Sequence, residues 1–328
     1  MRQVTTLVKT ALVTGGAGFI GSRLVAALLD EGYLVRVLEI QRGRLDGVRS
    51  PKLEFFGLGG DGRSGGMMDR RTVDDATEGV DVVFHLALNW DGHSWGAALP
   101  LADLLDLNVR GTLNLLEAAK SHAVKQFLYA SSIAVYGKRA SPVMDEETIC
   151  RPELWRGGPG PGYAITKLTL ERLCLSYHVE FGLPVTVFRI DVVFDDDEHQ
   201  DLSSETIRTA LRGEPLHVGK GEAGASIHVD DVARAFVAAA LNEKAYGQVF
   251  NISNPDALIS DVEVCEIVIR AIGSKSKIQF AETTLSGPVI ANVAKAHKLL
   301  QWKPLKGRKD LEEAIVRMTQ KEVSRLRH

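Results

Sequence analysis

A tyrosine and a lysine four residues apart, Tyr163 and Lys167, have the spacing that proton transfer needs. Residues i and i+4 of a helix share one face, so the lysine ammonium would lie beside the phenol. A nearby positive charge favours the phenolate and lowers a tyrosine pKa from about 10 towards 7. Such a phenolate is a suitable general base for the proton of an alcohol. Of the six tyrosines, only Tyr163 has a lysine at this spacing.

A glycine-rich segment near the start of the chain has the spacing of a phosphate-binding turn. Gly15, Gly18 and Gly21 fit the pattern GxxGxxG, between an apolar run that predicts a strand and a run that predicts a helix. Without side chains there, the backbone can turn tightly and approach a pyrophosphate, and the first helical N–H groups supply partial positive charge. Because both flanking elements are present, the segment predicts a dinucleotide-binding site.

An acidic residue, Glu39, closes the second predicted strand. A carboxylate at this place accepts hydrogen bonds from the hydroxyls of an adenosine ribose and repels a 2′-phosphate. We therefore predict NAD as the cofactor in preference to NADP. Arg42 and Arg44 follow closely in the chain, and they are the residues that could reverse this preference.

Short apolar runs alternate with longer helical periods over the first two-thirds of the chain. We expect strands at 7–14, 34–40, 53–56, 80–86, 126–131 and 185–190, and helices at 21–30, 72–77, 101–121 and 163–181. This alternation predicts a parallel sheet with helices on both faces. The predicted fold class is α/β, a Rossmann-type doubly wound parallel sheet with a smaller C-terminal α/β substrate lobe.

The pattern loosens after residue 190. Residues 195–201 form an acidic run that predicts a solvated loop, and two later stretches, 227–241 and 249–252, are regular again. We predict an NAD-binding domain over residues 1–190, with 228–252 returning to it, and a substrate-binding lobe over 191–328. The stretch 151–162 is rich in Gly and Pro at 157–162, which predicts a loop that acts as a lid.

Composition excludes several classes of protein. The 328 residues are 45% hydrophobic and 25% charged, and a net charge of −3 gives no basic excess for nucleic acid. No apolar run approaches the ~20 residues of a membrane span, and the N-terminus lacks the apolar core of a signal peptide. Three widely spaced cysteines favour a reducing compartment, and the His and Cys residues have no metal-ligand spacing. We expect a cytoplasmic protein that binds neither nucleic acid nor a membrane.

Six motifs, TGGAGFIG, DVVFHLA, LNVRGTLNLLEAA, YASSIAVYG, YAITK and IHVDDVARA, occur in this order along the chain. In these motifs the sequence resembles the extended short-chain dehydrogenase/reductases, and among them the nucleotide-sugar epimerase/dehydratase group. The resemblance runs from about residue 10 to about 305 and weakens after 190. It implies an NAD-dependent enzyme that transfers a hydride at a secondary alcohol or ketone of a hydroxy, keto or sugar substrate.

The resemblance also implies roles for particular residues. Tyr163 is the base, Lys167 lowers its pKa and holds the nicotinamide ribose, and Ser132 is the catalytic hydroxyl. The other cofactor contacts expected from the motifs are Gly15, Gly18, Phe19, Ile20, Gly21, Glu39, Leu86, Ala87, Asn108 and Ser131. Since the helices expected at 101–121 and 163–181 form a dimer interface in the family, a homodimer is implied as well.

Departures from the family's pattern bear on the substrate. Gly66 replaces an Asp that binds adenine, so packing by Met67 is expected to hold the base. The 4,6-dehydratases carry an Asp–Glu pair where this chain has Ile133 and Ala134, which argues against water elimination. Groups that hold a diphosphate in the family are replaced by Val192, Gly224 and the segment 285–288.

Two activities and one non-catalytic role stay open at this stage. An epimerase would return the hydride to the other face of the sugar, as the family resemblance implies. A net dehydrogenase or reductase of a non-nucleotide substrate fits the missing cations better, although Lys220 or Arg212 could replace them. Trp90, Trp95 and Trp155 could then contact a smaller substrate. An NAD-sensing protein is the third reading, and the intact Tyr163–Lys167 pair argues against it.

Overall fold

The computed structural model describes residues 8–60, 66–88, 101–137, 143–155, 160–196, 198–199, 202, 204–219, 221–281 and 288–326. Within these ranges no helix combines the length and the apolar character needed to cross a membrane. Trp90, Trp95, Lys220 and Leu285, which the sequence suggests for the substrate site, lie outside the described residues.

Strands and helices alternate along the chain as the sequence predicts. The strands are β1 (Thr10–Thr14), β2 (Leu34–Leu38), β3 (Leu53–Phe56), β4 (Val82–His85), β5 (Gln126–Ser132), β6 (Val143–Met144), β7 (Val185–Ile190), β8 (Val192–Asp195), β9 (Glu198–His199), β10 (Leu216–Gly219), β11 (Ala223–Gly224), β12 (Ser226–His228), β13 (Gln248–Ile252), β14 (Ile259–Ser260), β15 (Ile278–Ala281) and β16 (Pro288–Ala291). The helices are α1 (Phe19–Asp30), α2 (Arg70–Thr77), α3 (Leu101–Ser121), α4 (Gly160–Phe181), α5 (Ser204–Leu211), α6 (Val229–Ala239), α7 (Asp261–Ile272), α8 (Ala294–Leu300) and α9 (Arg308–Leu326).

A seven-stranded parallel sheet forms the centre of the fold, in the order β13-β7-β5-β4-β1-β2-β3. Strand order reverses between β1 and β4, which is the arrangement of a doubly wound α/β sheet. The predicted fold class is confirmed. The strand expected at 249–252 is β13, and it pairs with β7 at the edge of this sheet.

Both faces of the central sheet are covered by helices. Val13 and its neighbours on one face pack with α1 and α6 through side chains such as Leu28 and Phe236. Leu12, next to Val13 in the chain, points to the other face and packs with α2, α3 and α4 through side chains such as Leu115 and Leu170. Because adjacent strand residues face opposite sides of the sheet and both sides are covered, most residues of the strands are apolar.

Three small sheets and a second apolar core lie outside the central sheet, mostly in residues after 190. Their strand orders are β10-β15, β14-β11-β16-β6 and β12-β8-β9. The core of this region gathers side chains from α5, α7 and α9, including Ile207, Val268 and Leu311. It stands beside the central sheet, where the sequence predicts a smaller α/β lobe.

Over its described residues the acidic run at 195–201 is a solvated loop only in part. Asp196 is an exposed turn residue, whereas the prediction was wrong for Asp195 and for 198–199, which lie in strands. β8 ends at Asp195, which is buried, and β9 includes Glu198. The Asp195 carboxylate accepts a 2.7 Å hydrogen bond from Arg23 of α1. Burial of a carboxylate costs free energy, and the ion pair with Arg23, which is distant in the sequence, offsets that cost.

α4 also begins earlier than the expected helix at 163–181. Its first residue is Gly160, so the predicted loop at 157–162 is wrong from that point on, and 157–159 lie outside the described residues. Pro161 is compatible with the first turn, because the N–H that proline lacks would have no partner inside the helix there.

Candidate active site

The turn between β1 and α1 needs glycine at two of the three predicted positions. Gly15 has φ +71°, and a Cβ atom placed on it would lie 2.6 Å from the backbone nitrogen of Ala87. A Cβ atom on Gly21 would lie 2.0 Å from the carbonyl oxygen of Gly15. Any larger residue would therefore push the turn apart.

The N-terminus of α1 suits an anion. Gly18 is the N-cap and offers no side-chain hydrogen bond, and the first turn holds no acidic residue. The first N–H groups of a helix, here those of Phe19 and Ile20, have no acceptor inside the helix. With the partial positive charge of the helix end, they fit the pyrophosphate of a dinucleotide.

Leu86 and Ala87, which follow β4, lie against the glycine turn between β1 and α1. The Leu86 N–H donates to the carbonyl oxygen of Thr14 at 3.1 Å, and the Ala87 N–H donates to the Thr14 hydroxyl at 3.2 Å. His85 is buried between the hydroxyls of Thr14 and Thr112, at 2.7 and 2.9 Å. Burial lowers the pKa of His85 to about 3, so it stays neutral and has a structural role.

Glu39 follows the end of β2 and is half-buried. Burial raises the pKa of its carboxyl, while backbone N–H groups of Ala17 and Ile40 donate to it and act in the opposite direction. The two nearby arginines have other contacts. Arg42 stacks on the ring of Phe55 at 4.2 Å, and Arg44 donates to Glu198 at 2.6 Å.

Met67 lies beside α3, in a short 3-10 turn at Gly66–Met68. A Cβ atom on Gly111 would lie 3.0 Å from the Met67 methyl group, and the Asn114 amide donates to the Met67 carbonyl at 3.0 Å. The side chain of Met67 is thus fixed against α3, and its contact with adenine stays a prediction. Asn108 is buried on the same helix.

α4 holds Tyr163 and Lys167 next to the end of β5. The ammonium of Lys167 is buried, donates to the carbonyl oxygen of Ala130 at 2.6 Å, and lies 5.8 Å from the centre of the Tyr163 ring. Burial lowers the pKa of Lys167 to about 7. Within the described residues no carboxylate forms an ion pair with it. This lysine can therefore exchange a proton near neutral pH.

The two serines at the end of β5 differ in their surroundings. Ser132 is half-buried, and its hydroxyl oxygen accepts the N–H of Ala134 at 3.2 Å. Ser131 is buried, and its hydroxyl donates to Glu171 at 3.1 Å. Ser132 is thus the serine with the more accessible side chain, and its catalytic role stays a prediction. A role for Ser131 toward the cofactor stays a prediction.

Sequence reasoning missed Glu171 and Arg189. Their side chains form a buried ion pair, with Arg189 Nη2 2.7 Å from Glu171 Oε1. One signal was available. An arginine inside the apolar strand VTVFRI needs a buried acidic partner.

The positions that hold a diphosphate in the resembled family carry no cation here. A Cβ atom on Gly224 would meet nothing within 4 Å, so the space beside β11 is open. The guanidinium of Arg212, one suggested replacement, is held by Glu205 and Glu214, each at 2.9 Å.

Among the described residues, one cluster has side-chain atoms close enough together to hold a metal ion: Asp195, Asp196 and His228. Its hydrogen bonds and ion pairs argue against metal binding. His228 Nδ1 accepts the N–H of Asp230 at 3.2 Å, so a neutral ring carries its proton on Nε2 and has no lone pair there. Arg23 already neutralises Asp195.

Comparison with known proteins establishes the family of the chain. Residues 11–253 match the NAD dependent epimerase/dehydratase family. The chain belongs to this family, and it is an NAD-dependent enzyme that transfers a hydride at a secondary alcohol or ketone. The predictions of family, activity class and cofactor are confirmed.

Relatives include both epimerases and dehydratases. The chain is 29% identical over 311 residues to the UDP-glucuronate 4-epimerase of Thermodesulfobacterium geofontis, covering 89% of this chain and 90% of that protein. It is 31% identical over 281 residues to a dTDP-glucose 4,6-dehydratase of Streptomyces niveus, covering 80% of this chain and 77% of that protein. The solved UDP-glucuronic acid 4-epimerase of Bacillus cereus, in complex with UDP-glucuronic acid and NAD, is similar with a TM-score of 0.76 at 26% identity, covering 95% of this chain and 99% of that one.

Replacing Lys167 with Met should make the cofactor-free protein more stable, and more so near pH 6 than near pH 10. The unfolded chain keeps this proton up to about pH 10.5, while the folded protein loses it above about 7. Between these values the unfolded state binds more protons, so stability rises with pH, and the cost of the buried charge, on the order of a few kcal/mol, is largest at low pH. Urea unfolding of both proteins at each pH measures the difference. An equal gain at the two pH values would contradict the assignment of a buried ammonium.

Proposed function

We propose that the protein is an NAD-dependent sugar 4-epimerase with Ser132, Tyr163 and Lys167 as its catalytic residues. The observation that carries the proposal is the placement of Tyr163 and Lys167 beside the end of β5, with Ile133 and Ala134 next to Ser132. Both apolar residues are buried, at 5% and 2% exposure. The site therefore has a tyrosine and a lysine for proton transfer at an alcohol. The two positions after Ser132 carry no acid/base pair for water elimination.

Each proposed catalytic residue has a distinct task. Bound NAD would accept a hydride from the carbinol carbon and return it. The Tyr163 phenolate removes the hydroxyl proton and gives it back, and Ser132 donates a hydrogen bond to the same oxygen. The Lys167 ammonium stabilises the phenolate and would donate a hydrogen bond to the nicotinamide ribose. If the sugar turned before the hydride came back to its other face, the configuration at C4 would be inverted.

A nucleotide-linked sugar is the substrate class that the relatives support, since those named above act on UDP- and dTDP-sugars. The open space at Gly224 and the paired guanidinium of Arg212 favour a second candidate. A diphosphate without cationic donors binds poorly, because leaving its charges unpaired costs free energy. A net dehydrogenase or reductase of a hydroxy or keto compound without a nucleotide is therefore the alternative function.

We also infer that the chain forms a homodimer through α3 and α4. An apolar groove runs along α4, lined by Pro152, Ile165, Leu168, Thr169, Arg172, Leu173 and Ser176. Val179 and Phe181, near the end of the same helix, are 82% and 50% exposed. Large apolar side chains this exposed on one helix are typical of an interaction surface. The cytoplasmic location remains a prediction from the sequence.

The same proposal assigns separate roles to two parts of the chain. Residues 1–190, with 228–252, bind NAD, and 191–328 provide the substrate side of the site. The proposal is supported by β13, which adds to the central sheet after an excursion of some 60 residues, and by the separate core of α5, α7 and α9.

Replacing Tyr163 with Phe should lower turnover by at least about 10²–10³-fold, because the proton acceptor is lost while the ring is kept. NAD affinity should barely change. The measurement is conversion of UDP-glucuronic acid and UDP-glucose to their C4 epimers by NAD-loaded protein, with NAD binding as the control. Near-full activity of the variant would show that Tyr163 is not the base.

Replacing Gly224 with Arg should tighten UDP binding by about 10- to 10²-fold, because a charge-assisted hydrogen bond is worth about 1.5–3 kcal/mol. Unmodified protein should bind UDP at about millimolar affinity or weaker. Calorimetric titration of NAD-loaded protein measures both. Gly224→Met, which fills the same space without charge, is the matched control and should give no gain. Micromolar binding of UDP by unmodified protein would show that other residues form a diphosphate site.

A further inference from the structure

A network of buried polar side chains lies next to the proposed catalytic residues. Its centre is the ion pair between Glu171 of α4 and Arg189 of β7, whose side chains are 0% and 2% exposed. Arg189 binds the carboxylate at two points, Nη2 to Oε1 at 2.7 Å and Nε to Oε2 at 3.1 Å. This two-point geometry fixes the direction of both side chains as well as their distance.

Glu171 lies on the same face of α4 as Tyr163 and Lys167, because the three residues are spaced by four. Its Oε2 atom also accepts the hydroxyl of Ser131 at 3.1 Å. One turn earlier, Lys167 donates to the carbonyl of Ala130 at 2.6 Å. α4 thus holds β5 at two consecutive residues, and Ser132 is the next residue of that strand.

The hydrogen-bond network continues from Arg189 towards β13. Arg189 Nη1 donates to the Tyr136 hydroxyl and to the Glu146 carbonyl, each at 3.0 Å. The Tyr136 hydroxyl donates to Asn251 Oδ1 at 2.6 Å, and the Asn251 amide donates to the carbonyls of Met144 and Asn292 at 3.1 and 3.2 Å. β13 and the segment after β16 are therefore connected to the same ion pair.

Stability alone does not account for this arrangement. A buried ion pair loses hydration on both charges, and apolar side chains of similar volume in its place are often as stabilising or more so. The pair nevertheless occupies the junction of the helix that carries the proposed base and the strand that carries the proposed serine.

We infer that Glu171 and Arg189 are positioning residues, which fix the end of β5 against α4 so that Ser132 and Lys167 keep their places relative to Tyr163. This inference rests on the proposed function of those three residues. Neither positioning residue touches the substrate. Their effect passes through Ser131 and Ala130, and through Tyr136 to the C-terminal third of the chain.

The test replaces both charges at once, with Glu171→Met and Arg189→Met in one protein, since either change alone would leave a buried charge unpaired. The control is Arg208→Met with Glu322→Met, which removes a 2.8 Å ion pair between α5 and α9 whose arginine is partly exposed. Cooperative urea unfolding and NAD affinity show that each protein is folded. Both should stay within about threefold of the unmodified protein in NAD affinity.

The first readout is turnover of UDP-glucuronic acid by the NAD-loaded proteins. A reacting group displaced by about 1 Å can cost about 10²-fold in rate, so kcat should fall by about that factor while KM changes little. The control pair should keep its kcat. A double variant that folds, binds NAD and keeps full kcat would overturn the inference and leave the proposed function intact.

The second readout needs no substrate. The absorbance of the phenolate, taken as the difference from a matched Tyr163→Phe protein, follows the titration of Tyr163 alone among the six tyrosines. A less firmly held Lys167 stabilises the phenolate less, so the titration of the double variant should move up by about one pH unit. An unmoved titration would overturn the inference. Full activity of Tyr163→Phe itself would instead contradict the proposed function.

Discussion

One short hydrogen bond, from the buried ammonium of Lys167 to the carbonyl oxygen of Ala130, is the contact on which the geometry of the site depends. A charge without an acidic partner is costly in the interior, and burial accordingly lowers the pKa of Lys167 to about 7. Stability does not explain its presence. The presence of this ammonium is explained by its position 5.8 Å from the centre of the Tyr163 ring, where it can stabilise a phenolate.

The parallel sheet brings the rest of the site to one edge. The carboxyl ends of its strands carry the glycine turn after β1, Glu39 after β2, Leu86 after β4 and Ser132 at the end of β5. In an open α/β sheet, ligands bind at this edge, where the strand order reverses. The reversal lies between β1 and β4, next to the N-terminus of α1. The N–H groups of Phe19 and Ile20 at the helix end would hold the phosphates of NAD.

Features with a local signature could be predicted from the sequence, and features that depend on distant partners could not. The turn at Gly15 and the pair Tyr163–Lys167 were recognised because a few adjacent residues define each of them. Burial of Asp195 was missed because its partner, Arg23, is 172 residues away in the chain. The Glu171–Arg189 pair was missed although an arginine inside an apolar strand was a signal, because the sequence does not show which acidic residue of another element it contacts. Helix periodicity gave the bounds of α3, whereas the start of α4 was placed too late because Gly160 and Pro161 are also typical of loops.

The central claim of this account is that a hydride leaves C4 of a sugar and returns to the same carbon within one protein molecule. UDP-glucuronic acid that carries deuterium at C4, incubated with NAD-loaded protein and no added cofactor, tests it most directly. Mass spectrometry of the product should find the C4 epimer with its deuterium retained. A keto product that accumulates together with free reduced cofactor would contradict the claim and establish a net dehydrogenase.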